Sequence, residues 1–133
     1  YLMTLSNFDS ILSIDYGERY FGFAIKLKNE LTTFPLDVID SKDDDVYKHI
    51  LKHIQKYDVD KIIVGYPIGL TGHKTRMTNL VDKFINNVKD IFHVNVIPID
   101  ERFTSKMLIK NKTERLDSMS AMLLLETYLI DNE

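Results

Sequence analysis

The sequence predicts an α/β domain in which helices cover the faces of one mixed sheet, and two observations carry this prediction. The chain begins with three short apolar or aromatic segments that are separated by tight connections, as in antiparallel strands. Strand-like and helix-like segments then alternate, which is typical of crossover units that join parallel strands. The predicted order is three strands, a helix, a strand, a helix, a strand and then helices.

The first three segments predict an antiparallel start to the sheet. Residues Ile11–Tyr16 form a short apolar run that stops at Gly17, and Tyr20–Leu27 resumes apolar and aromatic residues after a tight connection. This pattern indicates a hairpin. The third segment, Leu31–Ile39, contains Pro35, which suits an edge strand or a bulge because proline lacks the N–H that a central strand must donate.

The middle of the chain predicts a crossover unit. Ser41 and Asp44 give an S-x-x-D helix start, and apolar residues at helical spacing follow it. Lys61–Tyr66 is a compact apolar run of the kind found in a parallel strand that is buried on both faces. An amphipathic helix from Met77 to Val88 and an alternating strand from Val94 to Ile99 come next.

The last part of the chain predicts helices. A short helical stretch surrounds Met107 and Leu108, and Leu116–Ile130 follows it. The latter segment is apolar nearly all round, which favours a packed final helix.

Composition and charge limit the function. With 133 residues and 15.5 kDa, the chain fits one domain over residues 1–133. The absence of cysteine excludes disulfides, thiolate metal sites and a cysteine nucleophile, and we expect a cytoplasmic location because there is neither a membrane-length apolar run nor a signal-peptide pattern. The net charge is −3, so any phosphate binding must be local rather than a property of the whole surface.

Three carboxylates stand at the ends of predicted elements. Asp15 closes the first strand, Glu101 follows the last strand and Asp117 opens the last helix. If they converge at one edge of the sheet, their mutual repulsion calls for a cation, and hard oxygen ligands favour Mg²⁺ or Mn²⁺. Two such ions can catalyse phosphodiester hydrolysis by activating water and stabilising the leaving oxygen.

Each carboxylate also has a structural interpretation that stays open. Asp15 could accept hydrogen bonds from the turn at Gly17, Glu101 could form a surface ion pair, and Asp117 could be a helix N-cap. His49 and His53 lie four residues apart on one helix face. Because no acidic or third histidine partner is near them in the sequence, we expect both on the helix surface.

Basic residues near these segments are candidates for phosphate contact. Arginine binds phosphate in a bidentate manner, although ordinary salt bridges or chance explain the positions of the four arginines equally well. The candidate nucleic-acid-binding residues are Arg19, Lys74, Arg76, Arg102, Thr104, Lys106 and Arg115. Four aromatic residues near the same segments could stack on bases, but core positions are the more common role for such residues: Tyr16, Tyr20, Tyr66 and Phe103.

The chain resembles the YqgF/RuvX family of Holliday-junction resolvases, whose members are also described as nucleases that process precursor 16S ribosomal RNA. The resemblance rests on four motifs in order: Leu12–Gly17 with Arg19 and Gly22–Ala24, Val64–Pro67 with Gly72, Asp100–Ser105, and Leu116–Ala121 running to Leu129.

This resemblance implies an RNase H-like fold with a five-stranded sheet and a catalytic role for Asp15, Glu101 and Asp117. It also implies that Arg102 and Thr104 support the D-E-R turn and the substrate backbone. The sequence departs from the family in a shortened segment from Lys106 to Leu116, and in Glu18, where relatives tend to have a basic or small residue.

Several functions remain open at this point. We favour a metal-dependent nuclease for precursor ribosomal RNA, acting as a monomer or homodimer on nucleic acid or a ribosomal particle. Resolution of four-way DNA junctions is the alternative, and the shortened segment raises a third possibility, a binder that assists ribosome assembly without cleavage. An actin-like or sugar-kinase-like ATPase is disfavoured because the chain lacks residues for a second lobe. We expect no membrane partner.

Overall fold

A computed structural model describes residues 9–67, 73–100 and 114–131, and it describes the side chains of all of these except 114–118 and 131. Five strands and three helices lie in this part of the chain. The strands are β1 (Ile11–Asp15), β2 (Tyr20–Lys26), β3 (Thr33–Asp40), β4 (Lys61–Tyr66) and β5 (Asn95–Asp100). The helices are α1 (Val46–Tyr57), α2 (Arg76–Phe92) and α3 (Glu114–Asp131).

The strands form one mixed sheet in the order β3-β2-β1-β4-β5. β1 pairs with β2 in antiparallel register and with β4 in parallel register, and β5 extends the parallel part beside β4. The predicted mixed sheet of five strands is therefore confirmed. β1 is central, and all five of its residues are buried because helices cover both faces of the sheet.

Two apolar cores lie on opposite faces of the sheet, and different helices cover them. Leu12 and Ile14 of β1 point into a core that α1 and α2 complete, whereas Ile11 points into a core that α3 completes. Successive side chains of a strand point to opposite faces, so one strand supplies both cores. The result is the three-layer RNase H-like arrangement, with α1 and α2 on one face and α3 on the other.

The start of α1 differs from the prediction. Asp45 is the N-cap, and its carboxylate accepts a hydrogen bond from the Tyr47 backbone N–H at 2.9 Å. The S-x-x-D interpretation was wrong because Ser41 still belongs to the turn after β3, where its backbone N–H donates to the Arg19 carbonyl oxygen. α2, in contrast, begins with a capping box formed by Thr75 and Thr78.

The final helix is less enclosed than its composition suggested. α3 packs against the sheet through four buried side chains: Ala121, Leu124, Leu125 and Tyr128. The predicted packing of this helix is therefore confirmed on the side that faces the sheet, while its outer side exposes 54% of Met119 and 68% of Ile130. Among the described helices, none is both long and apolar enough to cross a bilayer. The predicted helical stretch around Met107 lies outside the described residues.

Candidate active site at the carboxyl ends of the parallel strands

Asp15 is the last residue of β1 and is 1% exposed. Because side chains alternate along a strand, Asp15 shares a face with Ile11 and Ser13, and this is the face that α3 covers. The Ser13 hydroxyl donates a hydrogen bond of 2.6 Å to the Ala121 carbonyl oxygen of α3. This contact fixes the helix directly over the strand that ends in Asp15.

The direction of α3 brings Asp117 toward the same end of the sheet. Tyr128, late in the helix, accepts a hydrogen bond of 3.2 Å from Lys61 at the start of β4, whereas Ala121 lies over Ser13, farther along β1. The helix therefore runs opposite to these two parallel strands. Asp117 precedes Ala121 by about one turn, or roughly 6 Å along the axis, on the side of the strands' carboxyl ends.

Asp117 is the fourth residue of α3, since the helix begins at Glu114. This position argues against the interpretation of Asp117 as an N-cap, because a cap residue immediately precedes the helix. The side chain of Asp117 lies outside the described part of the structure.

The neighbouring parallel strands end at the same edge. Ile14 of β1 pairs with Val64, and Tyr66 at the end of β4 pairs with Asp100 at the end of β5. The three parallel strands thus present their last residues together, which is the usual ligand-binding edge of an α/β sheet. Glu101 follows Asp100 in the sequence but lies outside the described residues, together with Arg102, Thr104 and Lys106.

Gly17 makes the turn after Asp15 possible. A Cβ atom at this position would collide with the backbone carbonyl oxygen of Tyr20. Because the obstacle is backbone rather than a flexible side chain, any larger residue would displace the turn. The glycine that follows the first strand therefore keeps the chain close to the start of β2 and holds Asp15 in its place.

Arg76, at the start of α2, is paired with Glu18 in the turn after β1. The two guanidinium nitrogens donate to the two carboxylate oxygens at 2.8 Å each. Hydrogen bonding from Arg76 lowers the pKa of Glu18 below its usual range. Both side chains are largely exposed, at 72% for Arg76 and 52% for Glu18, so the pair lies in water beside the turn that follows Asp15.

The other two candidate cations with described side chains also have carboxylate partners. Arg19 donates to Asp40 at 3.1 and 2.9 Å, and Lys74 lies 3.4 Å from Asp82. Phosphate contact by these residues stays a prediction, and it requires phosphate to replace a carboxylate. Arg115 lies in the first turn of α3, and its side chain is outside the described part of the structure.

The aromatic residues near the site are mainly structural. Tyr16 packs edge-on against Phe21 with ring centroids 4.9 Å apart, and it also contacts Phe84 at 5.2 Å. The Tyr66 hydroxyl donates to Asp82 at 2.7 Å. Tyr20 lies beneath the Arg19 guanidinium, 4.9 Å from ring centroid to Cζ. Phe103 lies outside the described residues.

The expectation for His49 and His53 was wrong, because β3 supplies an acidic partner. His53 Nε2 lies 2.8 Å from Asp37 Oδ1, and His49 Nδ1 lies 3.2 Å from Asp37 Oδ2. His53 is also buried, with 4% of the residue exposed. Burial by itself would raise the pKa of Asp37, but hydrogen bonding to His53 and the nearby imidazole charge bring it down to about 2.

Sequence reasoning missed this cluster because the partners are 12 and 16 residues apart. A usable signal was present, however: the connection between β3 and α1 spans only Ser41–Asp45, so the helix must fold back onto the strand that precedes it. The side-chain oxygens and nitrogens of Asp37, His49 and His53 could together hold a divalent metal ion.

Comparisons with known proteins identify related sequences and a similar structure. The chain matches the profile of the family RuvX, described as Holliday junction resolvase, over residues 9–131. It is 36% identical to a protein of Ruminiclostridium cellulolyticum and 35% identical to one of Sulfurihydrogenibium sp., both named "Putative pre-16S rRNA nuclease". These matches cover 90% of the chain and 92% and 88% of the two relatives. A solved structure, fowlpox virus resolvase with substrate Holliday junction DNA, is similar at a TM-score of 0.45 and 17% identity, over 93% of this chain and 78% of that one.

Proposed function

We propose that this chain, which belongs to the RuvX family and is a nuclease, cleaves phosphodiester bonds in the precursor of 16S ribosomal RNA. Relatives at 35% and 36% identity carry that substrate in their names, and they align with nine-tenths of the chain. The observation that carries the proposal is the position of Asp15, which is buried at the end of β1 on the face that α3 covers.

Asp15, Glu101 and Asp117 are the proposed ligands of Mg²⁺ or Mn²⁺, with two ions as the expected number. The donor set fits such ions because carboxylate oxygens are hard ligands. Bound divalent ions would supply an activated water molecule and stabilise the leaving oxygen. The direction of α3 supports this assignment. The helix runs opposite to β1 and β4, which brings the helical turn of Asp117 toward the end of β1 that carries Asp15.

Substrate contact is proposed to be local. The net charge of −3 gives no general attraction for nucleic acid, so individual cations around the turn after β1 must bind phosphate. Arg76, at the start of α2, pairs with Glu18 of that turn, and Arg19 belongs to the turn itself, which makes both candidates for this role. Each would exchange its carboxylate partner for a phosphate oxygen, which predicts weak and salt-sensitive association.

Resolution of four-way DNA junctions is the second candidate, and the description of the matching family favours it. A resolvase must cut two strands that are related by a two-fold axis, so it is expected to act as a homodimer. Oligomeric state on a junction therefore separates the two candidates. A protein that stays monomeric on junction DNA would count against resolution.

Cleavage of three labelled substrates in Mg²⁺ and in Mn²⁺ tests the proposal: precursor 16S ribosomal RNA, unrelated single-stranded RNA and a four-way DNA junction. The proteins are wild type, Asp15→Asn, Asp117→Asn and the control Asp90→Asn, which changes an exposed carboxylate of α2. We expect metal-dependent cuts in the precursor that both site variants abolish and the control retains.

The other outcomes of this assay distinguish between the substrates, between catalysis and binding, and between catalytic sites. Cleavage of the junction but not of the precursor would replace the proposed substrate by the second candidate. Binding of the precursor without cleavage by any of the proteins would refute catalysis and support a role in ribosome assembly. Cleavage that survives Asp15→Asn would show that the catalytic residues lie elsewhere.

A further inference from the structure

We propose that Asp37, His49 and His53 form a second metal site, selective for Zn²⁺ or a similar transition-metal ion, on the face of the sheet opposite α3. Two of the ligands come from α1 and one from β3, so an ion bound here would join the edge strand of the sheet to the helix that follows it. This site does not depend on the proposed nuclease activity.

The geometry of the three side chains is close to that of a metal site. Their candidate ligand atoms all lie within 4.8 Å of one another. Three atoms that are no farther apart than this lie within about 2.8 Å of a common point, whereas Zn²⁺ binds nitrogen and carboxylate oxygen at about 2.0–2.2 Å. Small rotations of the side chains therefore suffice to reach bonding distance.

The donor set selects the class of ion. Two imidazole nitrogens and one carboxylate oxygen suit Zn²⁺ and its neighbours among the transition metals, whereas Mg²⁺ prefers sites made of oxygen alone. Two histidines four residues apart on a helix can bind one ion, because residues at this spacing share a helix face. The carboxylate is ionised at neutral pH and is available as a ligand.

Burial differs between the three ligands in a way that suits an ion entering from solvent. The side chain of His53 is 5% exposed, whereas those of His49 and Asp37 are 23% and 33% exposed. Phe23 and Tyr57 pack against the His53 ring with centroids 5.2 and 6.1 Å away and hold its orientation. The open side leaves room for water as a fourth ligand, as in zinc sites with three protein ligands.

His53 also limits the affinity to be expected. Its Nδ1 atom is buried and has no hydrogen-bond partner among the described residues. Ligation through Nε2 would leave the proton on Nδ1 without the outer acceptor that metal-bound histidines usually have, and such a loss weakens binding about 10- to 100-fold. We therefore expect a dissociation constant in the micromolar rather than the nanomolar range.

The site is separate from the proposed catalytic carboxylates. Phe23, which contacts His53, belongs to the core under α1 and α2, while Asp15 faces α3 across the sheet. An ion at the histidine site would therefore stabilise the junction of β3 and α1 without touching the strand end that carries Asp15.

Titration of tag-free, chelator-treated protein with Zn²⁺ alone tests this proposal. Calorimetry in two buffers of different ionisation enthalpy gives the affinity and the number of protons released, and Co²⁺ in place of Zn²⁺ reports the coordination number through its visible spectrum. We expect one ion per chain at the histidine site, with a four-coordinate Co²⁺ spectrum. Zn²⁺ at about 100 times its dissociation constant should raise the Tm by roughly 5–10 °C.

The variants separate this site from other metal-binding groups. Asp37→Asn and His49→Gln should each weaken Zn²⁺ binding by about 100-fold or more, since losing a ligand costs at least as much as losing its outer partner. His49→Gln is the decisive variant because its side chain is not in the core and the protein should still fold. His73→Gln, which changes an exposed histidine, and Asp15→Asn should bind Zn²⁺ like wild type.

Three results would overturn the proposal. The first is a wild-type protein that binds Zn²⁺ no more tightly than about 1 mM, and the second is unchanged affinity in His49→Gln. The third is loss of binding in Asp15→Asn, which would place the ion at the carboxylates. Failure here leaves the nuclease assay unaffected, and an inactive nuclease would not change the Zn²⁺ titration.

Discussion

Replacing Glu18 by Gln should make nucleic-acid binding more sensitive to salt. In the wild type the Glu18 carboxylate occupies both outer nitrogens of Arg76 at 2.8 Å, so a phosphate must displace it. The amide of Gln carries no charge and holds the guanidinium less strongly. Arg76 then becomes available for one additional phosphate contact beside the turn that follows Asp15.

The expected change in salt dependence follows from the release of counterions from the nucleic acid. One additional phosphate contact on a single strand steepens the plot of log affinity against log salt by about 0.7. Between 50 and 200 mM salt, the affinity of Glu18→Gln should therefore fall about 2.5-fold more than that of wild type. Thermal stability should change little, because both partners are exposed.

Fluorescence anisotropy with labelled single-stranded RNA, measured without divalent metal at several salt concentrations, gives these slopes. Arg76→Gln provides the matched background: in that variant, the additional change Glu18→Gln should leave the slope unaltered. Equal slopes in wild type and Glu18→Gln would refute the reasoning. A slope that steepens equally without Arg76 would assign the effect to the general loss of a negative charge.

Three further changes test the framework of the site. Ser13→Ala removes a buried hydrogen bond to α3 and should lower the free energy of unfolding by about 1 kcal/mol in urea denaturation; no change would mean that this bond does not hold the helix. Gly17→Ala forces a Cβ against the Tyr20 carbonyl, so it should lower the free energy of unfolding by about 1–3 kcal/mol and reduce cleavage. A fully active variant would contradict the role of this turn. Leu124→Ala leaves a cavity at a fully buried position and should lower the free energy of unfolding by about 2–5 kcal/mol in the same assay. Met119→Ala, on the exposed side of α3, should change it little. Equal losses in the two variants would contradict the orientation of the helix.

Much of the fold follows from local patterns in the sequence. The compact run Lys61–Tyr66 became β4 with the same bounds, and the alternating run Val94–Ile99 became β5 within one residue at each end. Apolar periodicity works here because burial on one or two faces acts on neighbouring residues at fixed intervals. Asp15 and Gly17 were recognisable for the same reason, since the end of a strand is visible in the sequence.

Polar partners were harder to predict. The ends of α1 and the neighbours of its histidines depend on where β3 lies, and the choice of Asp45 over Ser41 as the N-cap depends on how the turn closes. The exposure of Met119 was also unexpected, because an apolar side chain on a helix does not reveal whether another element covers it.

The sequence by itself determined the order of the strands and helices, the family and the three candidate carboxylates. Only the tertiary structure decided that Glu18 holds Arg76 across 58 residues and that Asp37 joins two histidines of α1. The physical reason is one of range. Hydrophobic periodicity is a local property of the chain, whereas an ion pair depends on which distant segments the sheet brings within about 3 Å of each other.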